Sequence, residues 1–598
     1  MCGISAIYRF TSINDSDKEK LALMNREMHY RGPDEEGIWT DEICGLAHTR
    51  LSIIGLENGK QPLFNEDKSL VLVCSGKIYN YIELKKELEA KGHIFNSDSD
   101  SETILHLYEE YGNKCLEHLR GMFSLCLYDT HTNRLFAARD RIGEKTLYYA
   151  QLTTGVIFCT ELKSILKYHL TNPQLNFEAF AEPIRYNYPI KTQDTYIEQI
   201  KKLEPGHYAL IDKTGLSIQP YWKRSFETSF QGSFEDAKKE CLRILRDSIR
   251  ICLRSDVPIA ILLSSGIDSS TIAALAKESA REVHVITAGY KGQHDCDERM
   301  IAKKFAIEKG LIFHEIELDE LDFGRNFEEL IHYIDEPICD IASMTQWALY
   351  KKAKSLGFTV LLTGTGGDEL FYGYPYENSQ AEALKLSHIH QSFFPLKRGE
   401  LNRPFLNFMF KNCKDILSAK YRKAYNSKFV QNWTYNDYKK FAASAKLNFN
   451  NLQYSFKDLN LSFTLDGENS AEIDLIYQKK YKTFLTNLSL YLADRLGMGN
   501  AVEIRSPFID FRLIEFVSSI PLNIRYKENV PKYFLKEIVK GIVPDYILSA
   551  SKQGFTPPFS FIHEIEKNYK YQVISHNFGF FNSMLADRLL TLNLYNNV

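Results

Sequence analysis

The chain is short of the features that would tie it to a membrane, a nucleic acid or a disulfide scaffold. No apolar run approaches the ~18 residues of a spanning helix, and the start, Met1-Cys2-Gly3-Ile4-Ser5, lacks the pattern of a secretion signal. A formal net charge of −3 gives no general pull toward nucleic acid or anionic lipid. The 11 cysteines are scattered, odd in number and without CxxC pairs, so neither a disulfide framework nor a zinc site is indicated. The 16 histidines form no HExxH pattern. No internal repeat or low-complexity segment is visible. A reducing, cytoplasmic setting is the expectation.

What is present is ordinary globular composition, 44% hydrophobic and 25% charged, in 598 residues. That length implies more than one core. The first ~210 residues hold short β-rich runs, such as Leu70–Cys74, Met122–Tyr128 and Val156–Cys159, with a helical stretch near Ile82–Lys91. A mixed β-sheet domain is expected. The pattern changes around Pro205–Arg224, and Ser233–Leu253 reads as an amphipathic helix. Buried strands and helices then alternate: strands at Val257–Leu263, Val283–Ala288, His314–Leu318 and Phe358–Leu362, helices from Ser269 and over Glu298–Lys309. This alternation predicts a parallel, doubly wound sheet whose ligands sit at the carboxyl ends of the strands. Residues from about 375 onward read as largely helical; the aromatic stretch 380–480 reads as packing, and the basic Lys420–Lys423 cluster as a solvated face.

Two turns at strand ends carry the first chemistry. Ser264-Ser265-Gly266-Ile267-Asp268-Ser269-Ser270 follows a buried strand and opens a helix, where small residues bring backbone N–H groups close to an anion. Asp268 cannot bind phosphate itself, so its natural part is to hold Mg²⁺. This is no Walker A loop, since GxxxxGK[ST] is absent. Thr363-Gly364-Thr365-Gly366-Gly367-Asp368-Glu369 follows the fourth strand. Alone it would be a structural turn; at the matching end of the same sheet it completes a nucleotide site.

The third signal is Cys2. Removal of Met1 would leave an α-amine with a pKa near ~8 beside its own thiol, a general base and nucleophile in one residue. Arg31-Gly32-Pro33-Asp34 and His48-Thr49-Arg50-Leu51-Ser52-Ile53 follow at suggestive distances. No Cys/His/Asn arrangement of a cysteine protease surrounds it.

Over nearly its full length the chain resembles the glutamine-dependent asparagine synthetases. The matching segments are MCGI, RGPDEEG, HTRLSI, SGKIYN, SDSETI, ARDRIGEKTLYY and TELK, then SSGIDSS, GTGGDELF, EIRSPFID, PKYFLKE and SKQGF. The resemblance implies an α+β N-terminal-nucleophile domain, an αββα sandwich, over 2–212. It implies an α/β doubly wound ATP-pyrophosphatase domain with helical additions over 233–598. It implies that Cys2 attacks the glutamine amide. Arg50 would bind the glutamine carboxylate, Asp100 its ammonium, and Leu51, Ser52, Ile53, Ile54, Ser75, Gly76 and Lys77 would complete the pocket. ATP would lie against Leu263, Ser264, Ser265, Gly266, Asp268, Ser269, Ser270, Ala288, Thr363 and Gly364. Asp268 and Asp368 would hold Mg²⁺, and Lys532 would stabilise developing charge. Ammonia would pass between the sites inside the protein.

Four positions depart from the family pattern: Ser75, Lys77, Thr365 and Ser265. Ser75-Gly76-Lys77 stands where Asn-Gly-Glu is usual, which predicts weakened glutamine use or a modified donor. Thr365 stands where the family typically has the glutamate that matters for the β-aspartyl-adenylate; it joins Cys2 and Lys532 as a candidate catalytic position, with Glu369 or Asp335-Glu336 as possible substitutes. Ser265 replaces a glycine. The expected reaction is aspartate, glutamine and ATP to asparagine, glutamate, AMP and pyrophosphate. The alternatives are another carboxylate acceptor, such as a uronic acid of a surface polysaccharide, and a non-catalytic regulatory homologue. Partners are small molecules, without nucleic acid or membrane; a homodimer is left open.

Overall fold

The computed structural model describes residues 2–374, 472–550, 557–558 and 561, apart from scattered positions within 169–187, 293–296, 337–341 and 528–529. The 380–480 and Lys420–Lys423 readings and the SKQGF segment therefore fall wholly or mostly outside the described residues.

The first half is two stacked antiparallel sheets. Its strands are β1 (Gly3–Arg9), β2 (Glu35–Thr40), β3 (Cys44–Arg50), β4 (Leu63–Phe64), β5 (Leu70–Ile78) and β6 (Gly121–Asp129), then β7 (Arg134–Arg139), β8 (Tyr148–Leu152), β9 (Gly155–Cys159), β10 (Ile200–Lys202), β11 (His207–Asp212) and β12 (Gly215–Pro220). One sheet runs β10-β8-β9-β1-β3-β2 and the other β12-β11-β7-β6-β5-β4. The two-residue side-chain period makes each strand serve two cores. On β1, Ile4, Ala6 and Tyr8 meet Val71 and Val73 of β5 between the sheets, while Ile7 packs outward with Leu21 and Met24. On β5, Leu72 and Cys74 face outward toward Leu88, Ile104 and Leu105. The outer layers are the helices Asp15–Glu27 and Leu162–Lys167 on one side, Tyr81–Ala90 and Glu102–Tyr111 on the other. The result is the αββα sandwich.

The second half is built on a parallel sheet of β13 (Ile259–Leu262), β14 (His284–Tyr290), β15 (Ile312–Leu318), β16 (Val360–Leu362) and β17 (Glu503–Arg505), in the order β15-β14-β13-β16-β17. Both faces are covered. One core gathers Leu245, Ile249, Ile272 and Phe305, and the other gathers Trp347, Leu349, Tyr491 and Leu496. The lead helix, Phe234–Cys252, is capped at Ser233 by a reciprocal bond with Asp236, and it buries Ala237, Cys241, Leu245 and Ile249 on one stripe. Strand order reverses between β13 and β16, so a crevice opens beyond their carboxyl ends.

A buried ionic network joins the halves. Arg31 donates to Glu161 at 2.6 Å and to Asp494 at 2.9 Å, and Lys145 reaches Asp494 at 3.1 Å. Arg495 pairs with Glu161 and donates to the Thr160 carbonyl at 2.7 Å. These side chains are almost fully buried. Such a network fixes geometry because losing any one member unbalances charges that water cannot reach.

Candidate functional site

Strand β1 lies between β3 and β9, which places Cys2 at the head of a central strand. Gly3 beside it is sterically required: a Cβ there would lie 2.8 Å from Met28 Cβ and Thr49 Oγ1. Cys2, Arg50, Leu51, Ile53, Ile54, Gly76, Lys77 and Asp100 line one pocket together. Burial pushes the Cys2 thiol up, against the lowering effects of the N-terminal ammonium, the Leu51 N–H and Arg50. Gly76 is confined too, since a Cβ would lie 2.2 Å from the Met122 carbonyl.

Two expected donor-site residues are placed otherwise. Ser52 is not among the residues that line the pocket, and its N–H donates to Asp34 at 2.8 Å. The Ser75 hydroxyl donates to the carbonyl of Cys2 itself at 2.6 Å, so it is engaged with backbone and does not face the pocket. Gly59, Gln61 and Cys74 line the pocket without having been signalled by the sequence; Ser99 and Ser101 of the SDSETI segment and Glu503 of the EIRSPFID segment, the last from the second half, line it without having been singled out as pocket residues. Glu503 is buried beside Arg505, which donates to it at 2.6 Å, and its carboxyl is held low, Arg505 countering the effect of burial.

The pocket's charges are satisfied from within. Arg50 pairs with Glu35 and donates to the carbonyl of Gly55 at 2.6 Å. Lys77 is buried, with its ammonium 3.3 Å from Asp100 and 4.4 Å from the centre of the Tyr81 ring. Asp100 also accepts from the Ile78 N–H at 2.6 Å. Burial lowers Lys77 to about 8, with Arg505 adding to the effect and Asp100 and Glu503 opposing it.

Beyond β13 and β16 the two predicted turns meet. Asp268 lies in the first turn of the helix Ile267–Ser279, and Asp368 in the short helix Gly367–Leu370. Between them stands Lys532, its Nζ 2.8 Å from Asp368 Oδ1 and paired with Asp268. Burial alone would lower the Lys532 pKa; the two carboxylates more than reverse it. Glycines make the approach possible. A Cβ at Gly364 would lie 2.7 Å from Asp268 Cβ, and one at Gly367 2.6 Å from Asp268 Cγ.

On the first turn, Ser264, Gly266 and Asp268 face the open side, while Ser265, Ser269 and Ser270 are buried. Ser269 accepts from the Ser264 N–H at 3.0 Å and shapes the loop. Ser270 corrects the expectation of a phosphate contact: its side chain is fully buried and its N–H donates to Gly266 within the helix. Ser265 keeps an ordinary negative φ and bonds Glu298, so the missing glycine costs no strain. Leu263 is buried at the strand end, its N–H donating to Ile286, and Ala288 is half-buried on the neighbouring β14. The Thr363 hydroxyl donates to that of Thr365 at 3.0 Å and lies 3.1 Å from Ser506 Oγ.

The suggested substitutes for the missing glutamate are committed elsewhere. Glu369 accepts from the Tyr374 hydroxyl at 2.6 Å. Asp335 accepts from the Leu162 N–H at 2.6 Å, and Glu336 pairs with Lys202 at 2.8 Å, so both serve the contact between the halves. One short strand links the two sites. Its first residue, Glu503, lines the Cys2 pocket, and Ser506 just beyond it touches Thr363. Four extended residues span roughly 10 Å.

Two family models match the chain: a glutamine amidotransferase domain over residues 1–222 and asparagine synthase over 240–591. Asparagine synthetase [glutamine-hydrolyzing] 1 of Bacillus subtilis is 31% identical over 564 residues, covering 93% of this chain and 87% of that protein. A second Bacillus subtilis protein, asparagine synthetase [glutamine-hydrolyzing] 3, is 31% identical over 579 residues, with the same shares. Amidase chyE of Penicillium rubens is 29% identical over 610 residues, 94% of this chain and 89% of that one.

Proposed function

Because the chain belongs to the family of glutamine-hydrolysing asparagine synthetases, we propose that it adenylates the side-chain carboxylate of aspartate with ATP and amidates it with nitrogen taken from glutamine. It is an enzyme, a ligase, and ATP-dependent. The observation that carries the proposal is Lys532 held between Asp268 and Asp368, at the carboxyl ends of adjacent parallel strands.

In the first site the Cys2 thiol passes its proton to the α-amine freed by removal of Met1. The sulfur adds to the amide carbon of glutamine, and the amine returns the proton to the departing nitrogen, releasing ammonia. Water then hydrolyses the thioester to glutamate. Arg50, exchanging Glu35 for the donor's carboxylate, can bind it in bidentate fashion. With Ser75 committed to the Cys2 carbonyl, the oxyanion lacks a side-chain donor there, a loss worth ~100- to 1000-fold in rate.

In the second site a carboxylate oxygen of the acceptor attacks the α-phosphorus of ATP and expels pyrophosphate. Ammonia then attacks the acyl carbon, forming the amide and expelling AMP. Lys532 is positioned to exchange a carboxylate for the leaving pyrophosphate. Asp268 and Asp368 present hard oxygen donors close together, a set that suits Mg²⁺. That ion, when bound, neutralises charge on the polyphosphate. The N-terminus of the helix Ile267–Ser279 favours the same anion.

The test follows pyrophosphate release with ATP, ammonium and a panel of acids, because ammonium bypasses the first site. Strong aspartate dependence is expected. Thr365, with a hydroxyl where a carboxylate is usual, favours a second reading in which another carboxylic acid is the acceptor; release with that acid and none with aspartate would select it. Release with no acid at all would overturn both.

A further inference from the structure

Away from both sites, on the outer helical layer of the first half, Glu66, His93, His106 and Glu109 turn ligand atoms toward one another, all within 4.8 Å. Glu66 follows β4, His93 lies in the turn after the helix Tyr81–Ala90, and His106 and Glu109 are one helical turn apart on Glu102–Tyr111. The geometry points to a binding site for one divalent transition-metal ion of the zinc type, held by four protein ligands.

Three features carry this. The first is spacing. His106 Nδ1 lies 3.0 Å from Glu109 and 3.6 Å from Glu66, and His93 Nδ1 lies 3.5 Å from each of those carboxylates. Ligands bound at ~2.0 Å around a tetrahedral ion stand about 3.3 Å from one another, so these four His–Glu separations are close to those of a coordinated ion.

The second is the outer layer. Both imidazoles turn Nδ1 inward and Nε2 toward a further carboxylate: His93 to Glu110 at 3.2 Å and His106 to Glu102 at 3.7 Å. At His93 that carboxylate is within hydrogen-bond reach, which fixes the tautomer of a ligating histidine and raises its basicity; Glu102 stands farther off and acts on His106 through its charge. The ligating carboxylates are themselves held: Glu109 accepts from Asn65 at 3.0 Å, and Glu66 from the Ile94 N–H at 2.9 Å.

The third is access. His106 is fully buried beneath Phe95, whose ring centre is 4.5 Å away, whereas Glu66 and Glu109 are partly exposed and leave a way in from solvent. Two imidazoles and two carboxylates make a borderline set that suits zinc better than the hard ions Mg²⁺ or Ca²⁺. Four protein ligands leave no open position, so the ion would be structural, pinning the His93 turn and the Glu66 turn to the helix. The ordinary alternative is a metal-free cluster in which charged histidines pair with the carboxylates.

The test uses the full chain, stripped with chelator and titrated with Zn²⁺ by calorimetry; Co²⁺ serves as a spectroscopic substitute. Wild-type protein should bind one Zn²⁺ at this site, show the visible bands of four-coordinate Co²⁺, and melt at higher temperature with metal. His93→Ala, at a mostly buried position outside both catalytic sites, should abolish the Co²⁺ bands while leaving ammonium-dependent turnover intact. Glu110→Gln, hydrogen-bonded to His93 Nε2 behind the ligand shell, should weaken Zn²⁺ about 10- to 100-fold. Asp268→Asn should leave the titration unchanged. Equal Zn²⁺ affinity in wild type and His93→Ala, or binding lost only in Asp268→Asn, would overturn the site.

Discussion

Replacing Lys77 by methionine removes a charge from the donor pocket at nearly constant volume. In the wild type the Lys77 ammonium sits 3.3 Å from the carboxylate that would receive the α-ammonium of glutamine. A second ammonium seeking Asp100 would come within roughly 4 Å of the first, a repulsion of about 4 kcal/mol at an effective dielectric constant near 20. Losing the proton from Lys77 is cheaper. With its pKa lowered to about 8, neutralising it at pH 7 costs about 1.4 kcal/mol, or tenfold in affinity. The sign follows: Lys77 is cationic below about 8 and opposes glutamine there, and it is neutral above, so the penalty fades as pH rises. Besides Asp100, the groups acting on Lys77 are Glu503, Arg505 and the Tyr81 ring. The assay is glutaminase kinetics, with KM separated from kcat because ionisation of the thiol also raises kcat with pH. Wild-type KM should fall about tenfold between pH 7 and 9, with a proton released on glutamine binding at pH 7. Lys77→Met should start at the lower KM and stay flat. An identical KM for the two proteins at pH 7, or a wild-type KM flat across that range, would refute the reasoning.

Cys2→Ala should abolish glutamine-dependent amide formation and leave the ammonium-dependent reaction at its wild-type rate, read by product mass. Ser75→Asn should raise glutaminase kcat by up to ~100-fold if the longer arm reaches the oxyanion, with KM little changed. Lys532→Met should cut acid-dependent pyrophosphate release by about 100- to 1000-fold with either nitrogen source, while equilibrium dialysis still detects ATP. Arg31→Ala takes one buried cation from Glu161 and from Asp494, which keep Arg495 and Lys145, and should destabilise the protein by up to about 3–5 kcal/mol. It should lower the melting temperature and cost more in glutamine-dependent than in ammonium-dependent turnover.

The meeting of the two turns was legible because parallel strands covered on both faces read as continuous apolar runs; β13 and β16 announced themselves, and each was followed at once by a small-residue turn. The capped helix after Ser233 was equally plain. The edge strand β17 was not, since it is three residues long and two of them, Glu503 and Arg505, neutralise each other in the interior. That concealed a carboxylate in the Cys2 pocket supplied from the other half of the chain. Ser270 was misplaced because a run of serines does not reveal which hydroxyls the helix turns inward. The direction of Ser75, toward the Cys2 carbonyl, depends on the register of β5 against a neighbouring sheet. The His93–His106 cluster was hidden for a similar reason: its ligands come from three elements, and only His106 and Glu109 share a helical spacing.

The most direct measurement is isotope transfer. An acceptor acid labelled with ¹⁸O in its reacting carboxylate is incubated with enzyme, ATP and ammonium, and the nucleotide product is weighed by mass spectrometry. One labelled oxygen carried from the acid into the phosphate of AMP is the predicted result. Unlabelled AMP, or label found in orthophosphate with ADP as the nucleotide, would contradict it.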